Sequence, residues 1–170
     1  MTRRIEGFPP IADADATVLI LGSMPGEESL RAGQYYAHPR NAFWPIMEDL
    51  FGAGPGLDYA GRTAVLRASG VALWDVLASC VRTGSLDSAI AGQSMAVNDF
   101  PAFFQAHSGI TRVFFNGALA EKCFLKSVRP VLEPCSLRFQ RLPSTSPAHA
   151  ALSYAQKRAA WRVVAERLGA

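Results

Sequence analysis

Four short apolar runs, separated by stretches with helical periodicity, constrain the fold of this chain more than any other feature. The runs are "ATVLILG" from Ala16, "GVALWDV" from Gly70, "TRVFFNG" from Thr111 and "LRFQRLP" from Leu137. The first three are dense in branched and aromatic residues, which is typical of strands covered on both faces of a sheet. The fourth alternates between apolar and polar residues, so we expect it at a sheet edge.

Helical patterns fill the stretches between these runs. We predict helices in "NAFWPIMEDLFG", "LDYAGRTAVLRASG", "NDFPAFFQAHSG", "GALAEKCFLKSVRP" and "SPAHAALSYAQKRAAWRVVAERLGA". Asn41 is a candidate N-cap and Gly52 a stop for the first, and Asn98 or Asp99 caps the third. Alternating strands and helices imply right-handed crossovers. The expected fold class is α/β, a three-layer α/β/α arrangement with a central, mostly parallel four-stranded sheet, in one domain over residues 1–170.

The composition, with 49% hydrophobic and 18% charged residues, is that of an ordinary globular chain. No apolar run reaches the length of a membrane span, and no apolar signal core follows "MTRR", so we expect a cytoplasmic protein. The three cysteines, Cys80, Cys123 and Cys135, and the three histidines have neither disulfide nor zinc spacing. The net charge of +3 permits a nucleic-acid partner without establishing one.

Polar or conformationally special residues follow each of the four predicted strands. The segments are "GSMPG" (22–26), "WDV" (74–76), "FNG" (115–117) and "LPSTSPAHA" (142–150). In parallel sheets, ligands bind outside the carboxyl ends of the strands. The four segments are therefore expected to form one site.

These segments resemble the uracil-DNA glycosylase superfamily. The resemblance rests on "GSMPG", on "HPRNAFW" before the next helix, on the asparagine of "FFNG" and on "LPSTSPAH", which together span most of the chain. The pairing of "GSMPG" with "HPRNAFW" is most similar to the hypoxanthine (deoxyinosine) DNA glycosylase branch. This resemblance implies a monomeric, monofunctional DNA glycosylase without metal or cofactor. Such an enzyme flips a deaminated base, hypoxanthine first, out of DNA and hydrolyses its N-glycosidic bond.

The resemblance also implies roles for three residues. Asn41 matches the catalytic asparagine of that branch and would hold the attacking water, because an oxocarbenium-like sugar needs a placed water more than a strong base. Phe43 matches the position that stacks on the base, and Asn116 would read the base edge with its amide. The alternatives are a helix N-cap for Asn41, a core position for Phe43 and a cap on the following helix for Asn116.

Further residues complete the implied base pocket: Gly22, Ser23, Met24, Trp74 and Asp75. Asp75 either supports the network around the water or the base, or only binds a neighbouring loop. Met24 stands where several uracil-excising branches place Asp or Asn, and a thioether cannot activate water. We therefore do not expect uracil excision by that route.

A third set is predicted to contact DNA: Pro25, Gly26, His38, Ser144, Thr145, Ser146 and His149. Small hydroxyl residues and backbone N–H groups at a helix start suit phosphate contacts. Alternatively, Ser146 and Pro147 simply begin the C-terminal helix, and His38 is an ordinary surface residue. Tyr35 and Tyr36 either line the pocket entrance or lie in the core.

Other functions remain open from the sequence. Ser23, Asp75 and His149 occur in the chain order of an α/β-hydrolase triad, although "LGSMPG" is not a G-x-S-x-G elbow. The same scaffold could bind damaged DNA without releasing a base. It could also excise uracil or act on mismatches, since pocket shape decides the preferred base.

Overall fold

The structure is a computed structural model that describes residues 3–54, 56–133 and 136–166. Its strands are β1 (Arg4–Glu6), β2 (Val18–Gly22), β3 (Val71–Asp75), β4 (Leu77–Val81), β5 (Ala96–Val97), β6 (Arg112–Asn116) and β7 (Arg138–Leu142). Its α-helices are α1 (Glu27–Ala32), α2 (Phe43–Phe51), α3 (Tyr59–Ala68), α4 (Phe100–Ala106), α5 (Ala118–Cys123) and α6 (Tyr154–Trp161). Cys135 and Leu168 lie outside the described residues.

A four-stranded parallel sheet in the order β3–β2–β6–β7 forms the centre of the fold. Gly22 pairs with Asp75, and Asn116 pairs with Leu142, so the carboxyl ends of the strands lie close to one level. Strand β7 pairs with β6 and occupies an edge. The predicted parallel sheet and the edge position of its last strand are both confirmed.

Helices cover both faces of this sheet, because alternate residues of the buried strands point to opposite sides. Leu19 and Leu21 of β2 join one apolar cluster, which includes Phe100 of α4. Ile20 joins the other, which includes Trp161 of α6 and side chains of α2 and α3. The predicted three-layer α/β/α arrangement is confirmed.

A second, antiparallel sheet in the order β1–β4–β5 was not predicted. Only Val76 lies between β3 and β4. Because this residue is buried and apolar, the sequence pattern does not distinguish the two strands from one continuous strand. Strand β1 has three residues and β5 has two, which is too short for a periodicity to show.

Helix termini agree with the predicted caps in some places and not in others. Asp99 caps α4 and Gly52 ends α2 in the left-handed region, as predicted. The N-cap of α2 is Ala42 rather than Asn41. The C-terminal helix begins later than expected, because Ser153 and Gln156 form a capping box at the start of α6.

Candidate active site

A cavity of about 1010 Å³ opens at the carboxyl ends of the parallel strands. Each strand of the sheet contributes to its wall, through Gly22, Asp75, Asn116 and, just beyond β7, Ser144. The predicted site residues all line this cavity except Phe43 and Trp74. The strand-end segments therefore form one site, as the sequence predicts.

The cavity floor depends on the missing side chain of Gly22. A Cβ atom at this position would lie 2.5 Å from Asp75 Oδ1 and 3.0 Å from the Tyr36 hydroxyl. Real Cβ atoms do not tolerate such distances, so a larger residue would displace one of the two groups. Glycine at the end of β2 thus lets a carboxyl and a phenol converge on the backbone.

Tyr36, not Phe43, presents an aromatic group to the cavity. The two rings stack with centroids 4.0 Å apart and planes 23° apart. Phe43 is fully buried and lies outside the cavity wall, whereas Tyr36 is half-buried and lines it. Phe43 thus lies beneath the aromatic residue that lines the cavity, and its direct stacking on a base stays a prediction.

The backbone of Tyr36 is strained. Its φ of 55° is the one positive value at a non-glycine residue within the described ranges. A left-handed conformation at such a residue costs about 1–3 kcal/mol and persists where neighbouring contacts enforce it. Here the neighbours are tied on both sides: Trp44 Nε1 donates to the Tyr35 carbonyl at 2.9 Å, and the Ala37 N–H donates to Ser29 Oγ at 3.1 Å.

Trp74 turns away from the cavity. Its ring packs against Phe100 and Phe103 at centroid distances of 5.0 and 4.9 Å, and its Nε1 donates to the Phe8 carbonyl at 3.1 Å. Successive residues of a strand point to opposite faces, so the neighbouring Asp75 lines the cavity while Trp74 joins the core. Trp74 is therefore not among the residues that line the cavity, and the base-binding role predicted for it stays a prediction.

Asn41 lines the cavity just before α2. Its Oδ1 accepts a hydrogen bond from the Phe43 N–H at 2.9 Å, and its own N–H donates to the His38 carbonyl at 2.9 Å. The amide is thereby oriented while one oxygen lone pair and the NH₂ group keep further capacity. The contact with the Phe43 N–H and a contact with water are compatible in one side chain.

Asn116 forms two hydrogen bonds with Thr145. Its Nδ2 donates to Thr145 Oγ1 at 2.9 Å, and its Oδ1 accepts from the Thr145 N–H at 2.9 Å. Thr145 is 1% exposed, and its carbonyl accepts from the Ala42 N–H at 3.0 Å. Thr145 therefore joins the β6 end to the segment that carries Asn41, and its buried side chain is placed for this role rather than for a phosphate contact.

Asp75 carries a buried carboxyl group, 4% exposed, whose Oδ2 has no hydrogen-bond partner among the described residues. Burial, and next the charge of Asp87, raise the pKa of Asp75 to about 7, against a smaller opposite effect of Arg82. Burial and the Asp75 charge also raise the pKa of Tyr36, partly offset by Asn116. Among the described residues, the Tyr36 hydroxyl has no hydrogen-bond partner of standard geometry. Asp75 and Tyr36 thus bring a carboxyl with a pKa of about 7 and a phenol with a raised pKa to the same end of the cavity.

The segment after β4 closes one side of the cavity. Arg82 Nε donates to the Gly84 carbonyl at 2.8 Å, and its Nη2 donates to the Pro25 carbonyl. Ser85 Oγ accepts from the Glu27 N–H at 2.8 Å. The sequence did not predict this wall, since "VRTGSLDS" has neither strand nor helix periodicity. Its glycine, its two serines and its two opposite charges were the available signal.

Ser23 does not form a catalytic triad in this arrangement. Its hydroxyl donates to Asp87 Oδ1 at 2.7 Å, which fixes the segment after β4 to the "GSMPG" loop. Ser23, Asp75 and His149 share the cavity wall, but His149 has no side-chain hydrogen bond to either residue within the described ranges.

The loop between β7 and α6 is ordered by its own hydroxyl groups. Ser144 Oγ accepts from the Ser146 N–H, and Ser146 Oγ accepts from the Ala148 N–H, both at 3.2 Å. Each hydroxyl keeps its own hydrogen for donation. Because α6 begins only at Tyr154, Ser146 and Pro147 lie in turns, so the helix start predicted at these residues is wrong.

A family model described as the uracil DNA glycosylase superfamily matches residues 9–167. The chain belongs to the uracil DNA glycosylase superfamily. Two curated relatives named hypoxanthine DNA glycosylase support the assignment. One, from Methanosarcina barkeri, is 35% identical over 66% of this chain and 70% of its own length. The other, from Methanosarcina acetivorans, is 32% identical over 85% of this chain and 87% of its own length.

Superfamily membership also agrees with the three-dimensional comparison. A solution NMR structure of a candidate uracil DNA glycosylase from Methanosarcina acetivorans has a TM-score of 0.77 and 29% identity. The match covers 96% of this chain and all of that structure. The α/β fold is thus shared with this protein over almost the whole length.

Two findings complete the description of this superfamily member. Within residues 3–54, 56–133 and 136–166, no helix has the length and apolar character needed to cross a bilayer. Nor does that part of the chain hold three or more His, Cys, Asp or Glu side chains grouped as metal ligands.

Proposed function

We propose that the protein excises a deaminated base, hypoxanthine first, from DNA and leaves an abasic site. The observation that carries the proposal is the shared cavity of Tyr36, Asn41, Asn116 and Asp75, which combines an aromatic group with free hydrogen-bonding capacity. Two relatives named hypoxanthine DNA glycosylase support this choice of base.

Recognition of the base would begin at Tyr36. A base extruded from the duplex enters the cavity and stacks on this ring, which Phe43 supports from behind. The remaining N–H and lone pair of Asn116 are available to the base edge, because Thr145 fixes the amide without exhausting it. Protonated Asp75 adds a donor and an acceptor at the same floor.

Asn41 would supply the catalytic contact. As the bond between the sugar and the base breaks, the sugar becomes oxocarbenium-like and the base takes the electron pair. Asn41 holds a water molecule against the anomeric carbon, and the hydrogen bond with Phe43 keeps the amide oriented. Positioning of this kind lowers the barrier without a strong general base.

Met24 lines the cavity and is 7% exposed, so it shapes the pocket without binding water. This supports hypoxanthine over uracil as the first substrate. We further propose that the protein acts as a cytoplasmic monomer, needs no cofactor and does not cut the strand. The loop residues Ser144, Ser146 and His149, with His38 and the 25–26 backbone, would contact phosphates around the cavity mouth.

An oligonucleotide assay tests this function. Duplexes and single strands carrying hypoxanthine, uracil, xanthine or a thymine mismatch are incubated with the protein, and abasic sites are then cleaved with alkali. We expect cleavage at hypoxanthine first, and none before alkali. Tight binding to a lesion without release of a base from any substrate would indicate a non-catalytic DNA-binding protein and overturn the proposal. Labelling of Ser23 by a fluorophosphonate would instead indicate a hydrolase.

A further inference from the structure

Lys157 is a buried cation that the proposed chemistry leaves unused. It lies on α6, is 6% exposed, and its Nζ donates to the Ser146 carbonyl at 3.1 Å. The ion pairs of the described residues give it no carboxylate partner. Buried charges are normally paired, because an unpaired one loses its hydration without compensation. The ammonium group uses one of its three donors on this carbonyl, so two donors are left for another acceptor.

Lys157 borders a cleft that is separate from the main cavity. The cleft has a volume of about 320 Å³ and is lined by Arg40, Asn41, Tyr154 and Lys157 among others, none of them acidic. Tyr154 donates to Asp49 at 2.8 Å, and Asp49 also pairs with Arg158 at 3.2 Å. Arg40 and Lys157 thus line the cleft, while the carboxylate of Asp49 is already paired with Arg158.

The cleft lies next to the main cavity. Arg40 and Asn41 line both, so the two spaces adjoin across the segment that carries the proposed water-holding residue. Burial lowers the pKa of Lys157, and a nearby anion would favour its charged form. A nucleotide with its base in the cavity has a sugar-phosphate backbone that must leave through the mouth.

We propose that the cleft between Arg40 and Lys157 binds a backbone phosphate next to the extruded nucleotide. This inference rests on the proposed function, since it requires DNA at the cavity mouth. Lys157 would act twice: its ammonium group attracts the phosphate and also holds the Ser146 carbonyl, which keeps the Ser144–His149 loop in place. Arg40 supplies the second, more exposed charge.

Salt dependence separates a phosphate contact from a structural role. Binding of a duplex with an abasic-site analogue is measured by fluorescence anisotropy over a range of salt concentrations. Each phosphate contact contributes about 0.9 to the slope of log K against log salt concentration. We expect Lys157→Met to reduce the slope by about 0.9 and Lys157→Arg to keep it. Lys126→Met removes an exposed lysine away from both spaces, and its slope should equal that of the wild type.

An unchanged slope for a folded Lys157→Met would overturn the proposal, even if affinity fell, because that pattern indicates loss of loop support alone. Should this variant fail to fold, Arg40→Gln tests the same cleft, with the same loss of about 0.9 expected. Replacing chloride by inorganic phosphate at fixed ionic strength adds a second arm. Phosphate competition without a slope change would indicate a free-phosphate site and exclude the DNA backbone as the ligand.

The two proposals fail in different ways. A wild-type protein that binds the duplex but releases no base from any oligonucleotide defeats the proposed function alone, and the salt slopes still test the cleft. A protein that releases hypoxanthine normally while Lys157→Met and Arg40→Gln both keep the wild-type slope defeats the cleft alone.

Discussion

The ring of Tyr36 lies stacked on the ring of Phe43, with 4.0 Å between centroids, and separates Phe43 from the cavity. An aromatic pair of this kind makes a rigid surface, because the buried ring fixes the tilt of the ring above it. The left-handed backbone of Tyr36 places the ring there. In the proposed function, stacking on a base would depend on both rings, because Phe43 holds Tyr36 in place.

Removal of the Tyr36 ring should reduce excision of hypoxanthine. Stacking on an aromatic ring contributes about 1–3 kcal/mol, so Tyr36→Ala should lower kcat/KM for hypoxanthine DNA by roughly tenfold or more. Tyr36→Phe is the matched control: it keeps the ring and the same Cβ at a positive φ, and we expect most activity to remain. Equal activity of Tyr36→Ala and wild type would show that the base stacks elsewhere.

Asn41 substitutions can separate catalysis from the hydrogen bond that Asn41 makes to the first residue of α2. Asn41→Ala removes both the water contact and the acceptor for the Phe43 N–H, so excision should fall by about 100-fold or more. Stability should fall by only about 1 kcal/mol, as for other lost caps. Asn41→Asp keeps the acceptor and should restore thermal stability. Single-turnover excision and circular dichroism melting measure the two effects; near-normal turnover by Asn41→Ala would exclude it as the water-holder.

The sequence predicted the parallel sheet well because each strand is a dense apolar run, and it predicted the cavity because all four runs end in polar residues. The sequence did not show which of two stacked aromatic residues lines the cavity. Phe43 and Tyr36 look alike as aromatic residues, and only the backbone of Tyr36 decides which one lines the cavity. Lys157 was missed because a lysine on a predicted amphipathic helix is normally solvated, whereas here loop residues cover it. The single-domain organisation stays a prediction.

Gly22 should not tolerate even one methyl group. Gly22→Ala places a Cβ against Asp75 Oδ1 and the Tyr36 hydroxyl, and overpacking of this kind costs about 1–3 kcal/mol. Excision should fall as well, since both displaced groups line the cavity. Gly92→Ala is the control, because nothing lies within 4 Å of its added Cβ. Denaturant unfolding and kcat/KM are compared for both; equal behaviour of the two variants would contradict the close approach at Gly22.

Excision should depend on the protonation of Asp75. The pKa of this carboxyl is raised to about 7, chiefly by burial, so the group is neutral below that pH and anionic above it. The departing base gains negative charge, which a neutral acid stabilises by donation and a carboxylate repels. We expect kcat/KM to fall as pH rises through about 7 in the wild type. Asp75→Asn should flatten the profile, and an unchanged profile in this variant would assign the titration to another group.

The same carboxyl should make stability depend on pH in a defined direction. Its pKa is 3.8 when unperturbed and about 7 in the folded protein, so between these values the folded state binds more protons than the unfolded state. The contribution of Asp75 to the free energy of unfolding therefore falls as pH rises from about 4 to about 7, by roughly 4 kcal/mol at most. Asp75→Asn cannot titrate, so its stability relative to the wild type should increase across this window and level off above it. Urea unfolding of both proteins at several pH values measures the difference, and a constant difference would mean that Asp75 titrates in the folded protein as it does in the unfolded chain.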